Sequence, residues 1–223
     1  MPYSEKLHKA NRYDICLVFF GIPSGPIGYR LKKKNKLPYI IRFGGGDIPG
    51  FQERFTRVYK LIAPAIRRIW RHADARVANS EGLRKLAMDF TDEYKFLVVP
   101  NGVDTYYFRP ATKSESVDTH DENGTAHVKL LFVSRLIERK GLQYVLPYLN
   151  AMANNTLKDV TLTVVGDGPY RDTLERLVEN SGVSSRVNFV GQKTREEILP
   201  FYQNADIFIL PSNKEGMPNV VLE

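Results

Sequence analysis

Arg135 and Lys140 stand in S-R-L-I-E-R-K-G, directly after the apolar run V-K-L-L-F-V-S. A forked guanidinium and a point-charge ammonium at a strand exit suit the oxygens of a diphosphate. Taken alone, the pair also reads as two surface charges at a turn. V-V-G-D-G-P-Y sets Gly166 and Gly168 around an aspartate, with Pro169 where a helix can begin; a tight strand-to-helix turn would use the same residues. F-V-G-Q-K-T-R-E-E carries Val190 and Gly191, and its backbone groups could hold a flat base. The last stretch is S-N-K-E-G-M-P-N-V-V-L-E, with Glu215, Gly216, Met217, Asn219 and Glu223. Pro218 is suited to a helix start, and the first amides of that helix would face an anion. Eight positions along one helix separate Glu215 from Glu223 by roughly 12 Å. The two acids therefore have different jobs, unlike the close carboxylate pair of a glycosidase.

These stretches need a frame that brings strand ends to one edge. Eight short apolar runs supply it: 14–20, 38–43, 75–79, 96–99, 128–134, 160–165, 187–190 and 206–210. They are nearly continuous in Val, Ile, Leu and Phe, which is how strands read when both sheet faces are covered. Amphipathic stretches at 51–72, 80–90, 141–154, 170–180 and 194–204 lie between them as helices. Strand-helix alternation predicts an α/β fold with parallel sheets, whose ligands bind beyond the carboxyl ends of the strands. A polar stretch, A-T-K-S-E-S-V-D-T-H-D-E-N-G-T-A, divides the pattern. The expected organisation is a partial α/β domain over 1–105, a linker over 106–127 and a second partial domain over 128–223. About four strands in each unit is fewer than a complete doubly wound sheet holds.

Hydrophobic residues make up 43% of the 223 and charged residues 26%, the balance of a globular protein. The lone Cys16 excludes an internal disulfide and favours a reducing, cytoplasmic setting. No apolar h-region opens the chain, and no run reaches the length that spans a bilayer. The net charge of +7 gathers in R-L-K-K-K-N-K and along Arg54 to His72. Without a zinc-finger, helix-turn-helix or RNA-binding motif beside it, this excess does not point to nucleic acid. A basic helix carrying Leu61, Ile62, Ala65, Ile66, Ile69 and Trp70 packs a core or lies on an anionic membrane surface. His8, His72, His120 and His127 show no ligand spacing, and no metal is expected.

In order and spacing, S-R-L-I-E-R-K-G, V-G-D-G-P, V-N-F-V-G and E-G-M-P-N-V-V-L-E resemble the donor half of glycosyltransferase family 4. V-V-P-N-G-V-D-x-x-x-F-R-P is similar to the passage between that family's two domains, and R-F-G-G-G-D-I-P-G fits its N-terminal domain. The resemblance implies a GT-B fold, two Rossmann-like domains and a retaining, metal-independent hexosyltransferase with no cofactor besides its nucleotide-diphosphate sugar. It implies that Arg135 and Lys140 neutralise the leaving phosphate. Glu215 would contact donor-sugar hydroxyls, with Gly216, Met217 and Asn219 near sugar and phosphate. Glu223 would hold the ribose, the loop near Val190 to Lys193, with Gly191, the base, and Gly166 and Gly168 would also lie on the donor side. Gly44, Gly45, Gly46, Asp47 and Asn101 would face the acceptor or the cleft. The acceptor would be a glycan or lipid-linked molecule, with contact to the cytoplasmic membrane face as a further expectation.

Phe43 and Gly44 stand where the family often carries a histidine, so the triple glycine suggests close backbone approach instead. The family's N-terminal Gly-rich loop has no counterpart, and the sequence reads as an internal portion of such an enzyme. Six residues from Pro218 are too few to hold a helix unaided, so Glu223 is expected to be poorly held. The rival readings are a non-catalytic nucleotide-sugar-binding fragment and a GT-B nucleotide-sugar epimerase.

Overall fold

A computed structural model describes residues 3–111, 127–155 and 159–223. The chain divides into two compact units, Met1–Asn101 with Glu215–Met217, and Gly102–Lys214 with Pro218–Glu223.

The first unit holds α1 (Tyr3–Asn11), β1 (Cys16–Phe19), α2 (Gly25–Asn35), β2 (Tyr39–Arg42), α3 (Thr56–His72), β3 (Ala75–Ala78), α4 (Glu81–Phe90) and β4 (Leu97–Val98). Its four strands are parallel and lie in chain order, β1-β2-β3-β4. Tyr39, Ile41 and Phe43 bury one face of β2 against Ile66, Ile69 and Trp70 of α3. The Phe43 and Trp70 rings meet edge to face, with centroids 4.7 Å apart. Ser80 caps α4 by accepting from the Leu83 amide at 3.3 Å.

The second unit holds β5 (His127–Val133), α5 (Leu149–Asn155), β6 (Asp159–Val165), α6 (Arg171–Asn180), β7 (Val187–Gly191), α7 (Arg195–Asn204), β8 (Ile207–Phe208) and α8 (Asn219–Leu222). Its parallel sheet runs β7-β6-β5-β8, so the strand order reverses between β5 and β8. β6 buries Val160, Leu162, Val164 and Val165. A capping box fixes the start of α7: Thr194 Oγ1 accepts from the Glu197 amide at 3.3 Å, and Glu197 Oε2 from the Thr194 amide at 2.9 Å. That second bond holds the Glu197 carboxyl below its usual pKa.

Each of the eight expected strands is present, but four readings change. First, Leu17 and Phe19 of β1 are 54% and 55% exposed. β1 is the edge of its sheet and one of its faces is bare, so its continuous apolar run does not report two covered faces. Second, the helix expected over 141–154 breaks into short 3-10 turns before α5. Gly141 is left-handed there, at φ 76°, and Pro147 supplies no amide to an α-helical ladder. Third, α1 and α2 were not foreseen. α2 starts at Gly25-Pro26, ends on left-handed Lys36, and buries only Gly25, Gly28 and Leu31.

Fourth, residues 106–109, expected to open a linker, dock on α7 within the second unit. The Tyr107 hydroxyl donates to Arg195 O at 2.9 Å, Gln203 Nε2 donates to Arg109 O at 2.9 Å, and the Phe108 and Tyr202 rings meet at 5.9 Å. Most of the expected linker, 112–126, lies outside the described residues. Glu215–Met217, expected in the second domain, fold with the first unit.

Candidate functional site

The reversal beside β5 marks where a ligand crevice is expected in an open parallel sheet, beyond the strand ends. Backbone bonds hold the strand exits of the second unit together. The Ser134 amide donates to Val165 O at 3.1 Å, Leu136 to Asp167 O at 2.9 Å, and Gly166 to Gly191 O at 2.8 Å. Two glycines make this approach possible. A Cβ on Gly166, whose φ is 129°, would lie 2.0 Å from Ser134 O, and one on Gly168 would lie 2.3 Å from Leu136 O. The exit of β5 is also tied to that of β8. Asn213 N donates to Arg139 O at 3.1 Å, Arg139 donates to Lys214 O, and Gly141 packs beneath the Pro211 carbonyl.

These exits enclose a cavity of about 380 Å³. Ser134, Arg135, Gly166, Asp167, Gln192 and Lys193 line it, over Val133, Val165, Ile198 and Val220. Two cations and one carboxylate around an apolar floor form a pocket that favours an anion with a flat or apolar part. Arg135 and Gly166 therefore share one cavity, while Gly168 and Gly191 do not line it and Val190 packs against the core of Leu131, Val133, Val165 and Ile198.

The other expected donor-side residues stand elsewhere. Lys140 is half-buried in the 3-10 turn over Glu138–Lys140, outside the residues lining that cavity. Asn219 and Glu223 line a second, more polar cavity of about 290 Å³ with Asp104 and Arg195. Glu223 is not loosely held, as its short helix suggested. The Tyr202 hydroxyl lies 3.1 Å from both Glu223 Oε2 and Val220 O, so one donor braces the end of α8. Burial, reinforced by the Glu223 carboxylate, pushes the Tyr202 pKa up and keeps this hydroxyl protonated.

Sequence reasoning placed Lys193 at the end of the base-side loop and did not single it out as a cation of the cavity. The signal was present, because K follows the strand V-N-F-V-G at the same sheet edge as Arg135.

In the first unit, Asp47 is 3% exposed and points inward. Its Oδ2 accepts from the Gly21 amide at 2.6 Å, and its Oδ1 from the Gly44 and Gly45 amides at 3.0 and 2.9 Å. One carboxylate thus staples the loop after β1 to the loop after β2. Burial pushes its pKa up, and outweighs the three amides that pull it down. The neighbours that crowd this glycine loop are side chains of the same unit: Phe20 beside Gly44, Phe51 beside Gly45, whose φ is 116°, and Gln52 beside Gly46. Tyr59 donates to Gly46 O at 2.5 Å. The turn Glu215–Met217 rests beside Leu83 and Asn79, and Asn101 Nδ2 donates to Met217 O at 3.0 Å. Among the described residues no group of three or more His, Cys, Asp or Glu side chains could hold a metal ion, and no helix is long and apolar enough to cross a membrane.

Comparison with known proteins places both halves. The family model of Glycosyltransferase Family 4 matches residues 1–107, and that of Glycosyl transferases group 1 matches 118–223. An alpha-monoglucosyldiacylglycerol synthase of Streptococcus pneumoniae is 30% identical over 99% of this chain and 52% of its own length. A GDP-mannose-dependent alpha-(1-6)-phosphatidylinositol monomannoside mannosyltransferase of Mycolicibacterium smegmatis is 29% identical over 92% of this chain and 52% of its own. The chain spans about half the length of these curated relatives. Among solved structures, sucrose-phosphate synthase of Thermosynechococcus elongatus superposes with a TM-score of 0.74 at 20% identity, over 97% of this chain and 55% of that one. Anabaena HepE, in complex with UDP and glucose, gives 0.72 at 21%, over 98% and 58%. Likeness at such identity establishes the fold, two Rossmann-like parallel-sheet units of the GT-B class.

Proposed function

Because the chain belongs to the glycosyl transferases of group 1 and family 4, we propose that it serves the transfer of a hexose from a nucleotide-diphosphate sugar to a glycan or lipid-linked acceptor, with retention and without a metal ion. The observation that carries this reading is the cavity at the carboxyl edge of the second sheet, where Arg135 and Lys193 converge above an apolar floor. When the bond between sugar and diphosphate breaks, negative charge grows on the departing phosphate oxygens. Cations at that edge stabilise the growing charge more than they stabilise the bound donor, which is what would accelerate the step. In this reading Arg135 and Lys140 act on the diphosphate, with Lys193 as a further cation. Glu215 binds sugar hydroxyls and Glu223 binds the ribose. The relatives support a nucleotide sugar without fixing its base, since one is named for GDP-mannose and a structural neighbour was solved with UDP.

An acceptor at a membrane's cytoplasmic face is supported by the outward side of α3. Ile66, Ile69 and Trp70 pack the core, whereas Val58 and Leu61 are 53% and 82% exposed beside Arg57, Lys60 and Arg68. Two outward aliphatic side chains framed by cations suit an anionic interface. The relatives' names also include lipid acceptors.

The test is titration of the chain with UDP, UDP-glucose and GDP-mannose, with turnover followed in the enzyme at its relatives' length. Arg135→Ala is expected to remove about 2–4 kcal/mol of transition-state stabilisation. Turnover retained in that variant, or stopped by a chelator in the unaltered enzyme, would overturn the assignment.

A further inference from the structure

Arg42 ends β2, and two of its guanidinium nitrogens are engaged in different ways. One donates to Val99 O at 2.9 Å, the other to Asn101 Oδ1 at 2.5 Å. Asn101 passes the connection on. Its Nδ2 donates to Met217 O at 3.0 Å, and its backbone amide lies 3.1 Å from Met217 Sδ. The partners settle which way the Asn101 amide faces. A guanidinium only donates, so it must meet the amide oxygen; a backbone carbonyl only accepts, so it must meet the NH2. A rotated Asn101 would oppose donor to donor and acceptor to acceptor. The turn that this side chain grips is also crowded from below. A Cβ on Gly216 would lie 2.7 Å from Leu83 Cδ1 and 3.0 Å from Asn79 Oδ1, and that buried oxygen accepts no hydrogen bond among the described residues. Packing beneath therefore offers the turn a seat but no polar anchor through Asn79. A directional hold on the turn runs from Arg42 through Asn101.

We propose that Arg42 is a positioning residue of the first unit: by fixing the orientation of the Asn101 amide it sets the backbone of the Glu215–Met217 turn. The consequence for substrate rests on the reading above, in which Glu215 of that turn meets the hydroxyls of the donor sugar. Arg42 touches no reacting atom in this scheme. It acts two bonds away, on the carbonyl of Met217.

Asn101→Asp is the sharpest variant, because it keeps an oxygen for Arg42 and replaces the donor to Met217 O with a second acceptor. Arg42→Gln removes the fixed fork. Amide hydrogen exchange of the whole chain without ligand reads the outcome directly. Both variants are expected to speed exchange at least fivefold in peptides covering 212–219, with strands β5 and β6 unchanged; Arg42→Lys, which keeps one donor, should fall between. With ligand, UDP-glucose affinity should drop about tenfold while UDP affinity holds. Unchanged exchange in Asn101→Asp overturns the proposal, and so does equal loss of UDP and UDP-glucose. Failure of the unaltered chain to bind either nucleotide would count against the donor reading alone, since the exchange measurement decides the positioning role with no ligand present.

Discussion

In the first sheet the strands follow one another as β1-β2-β3-β4, whereas the second runs β7-β6-β5-β8 and turns back beside β5. Both must hold several loops at their carboxyl edge, and they use different bonds to do so. The second sheet joins its exits backbone to backbone, through Ser134, Leu136 and Gly166. The first also uses backbone bonds, such as Phe43 N to Val77 O at 2.8 Å, but adds one buried carboxylate, Asp47, that collects three amides. Where strand order reverses, neighbouring loops diverge and leave a crevice. Beside it, the exits of β5, β6 and β7 touch tightly at their bases, which selects glycine. Where the order does not reverse, a side chain can bridge the loops instead.

The largest expected effect breaks the glycine side of this comparison. Gly166→Ala places a methyl against the Ser134 carbonyl at a φ of 129°, and backbone cannot step aside as a ring can. It should cost about 4 kcal/mol in denaturant unfolding. Gly45→Ala, at φ 116° but facing the Phe51 ring, should cost less; equal losses would erase the distinction between the sheets.

Asp47→Ala comes next, at about 2–3 kcal/mol, because it strips the acceptor from three inner amides. Its titration adds a sign. Burial raises the folded pKa above the unfolded one, so the native state holds its proton longer. Stability from this group is therefore full below about pH 4 and is lost as pH rises through the raised pKa. The unaltered protein should lose stability across that window relative to Asp47→Asn. An unaltered protein that gains stability relative to Asp47→Asn as pH rises would mean that the amides, not burial, dominate.

The smallest effect concerns the bare face of β1. Leu17→Ala should change stability by no more than about 0.5 kcal/mol, since the side chain is 54% exposed. Leu162→Ala, fully buried in β6, should cost about 3 kcal/mol. Similar values would show that the β1 face is covered in solution.

All eight strands were legible because a short apolar run between turn residues has few other uses. α3 was legible from the apolar stripe of Tyr59, Ala63, Ile66, Ile69 and Trp70 that it buries. α2 buries three residues and carries Lys32, Lys33 and Lys34 in its last turn, so nothing in its pattern announces a packed helix. Arg135 and Gly166 could be assigned to one edge because both follow strands. The inward turn of Asp47 could not be foreseen, since an aspartate after three glycines reads as a surface loop residue. Nor could the link from Arg42 to Asn101, which are distant in sequence and meet only because β2, β3 and β4 lie side by side. Glu223 was misjudged for a related reason: the phenol that braces it lies on another helix.

The base of the second-unit cavity is sewn together by main-chain atoms, and main-chain atoms do not change when side chains do. The side chains of Ser134, Gln192 and Lys193 stand on that platform, which main-chain bonds hold together. Exchanging them alters what the cavity prefers while leaving its walls in place. Ligand preference in this chain can therefore drift one substitution at a time, at a scaffold whose few fixed points are glycines.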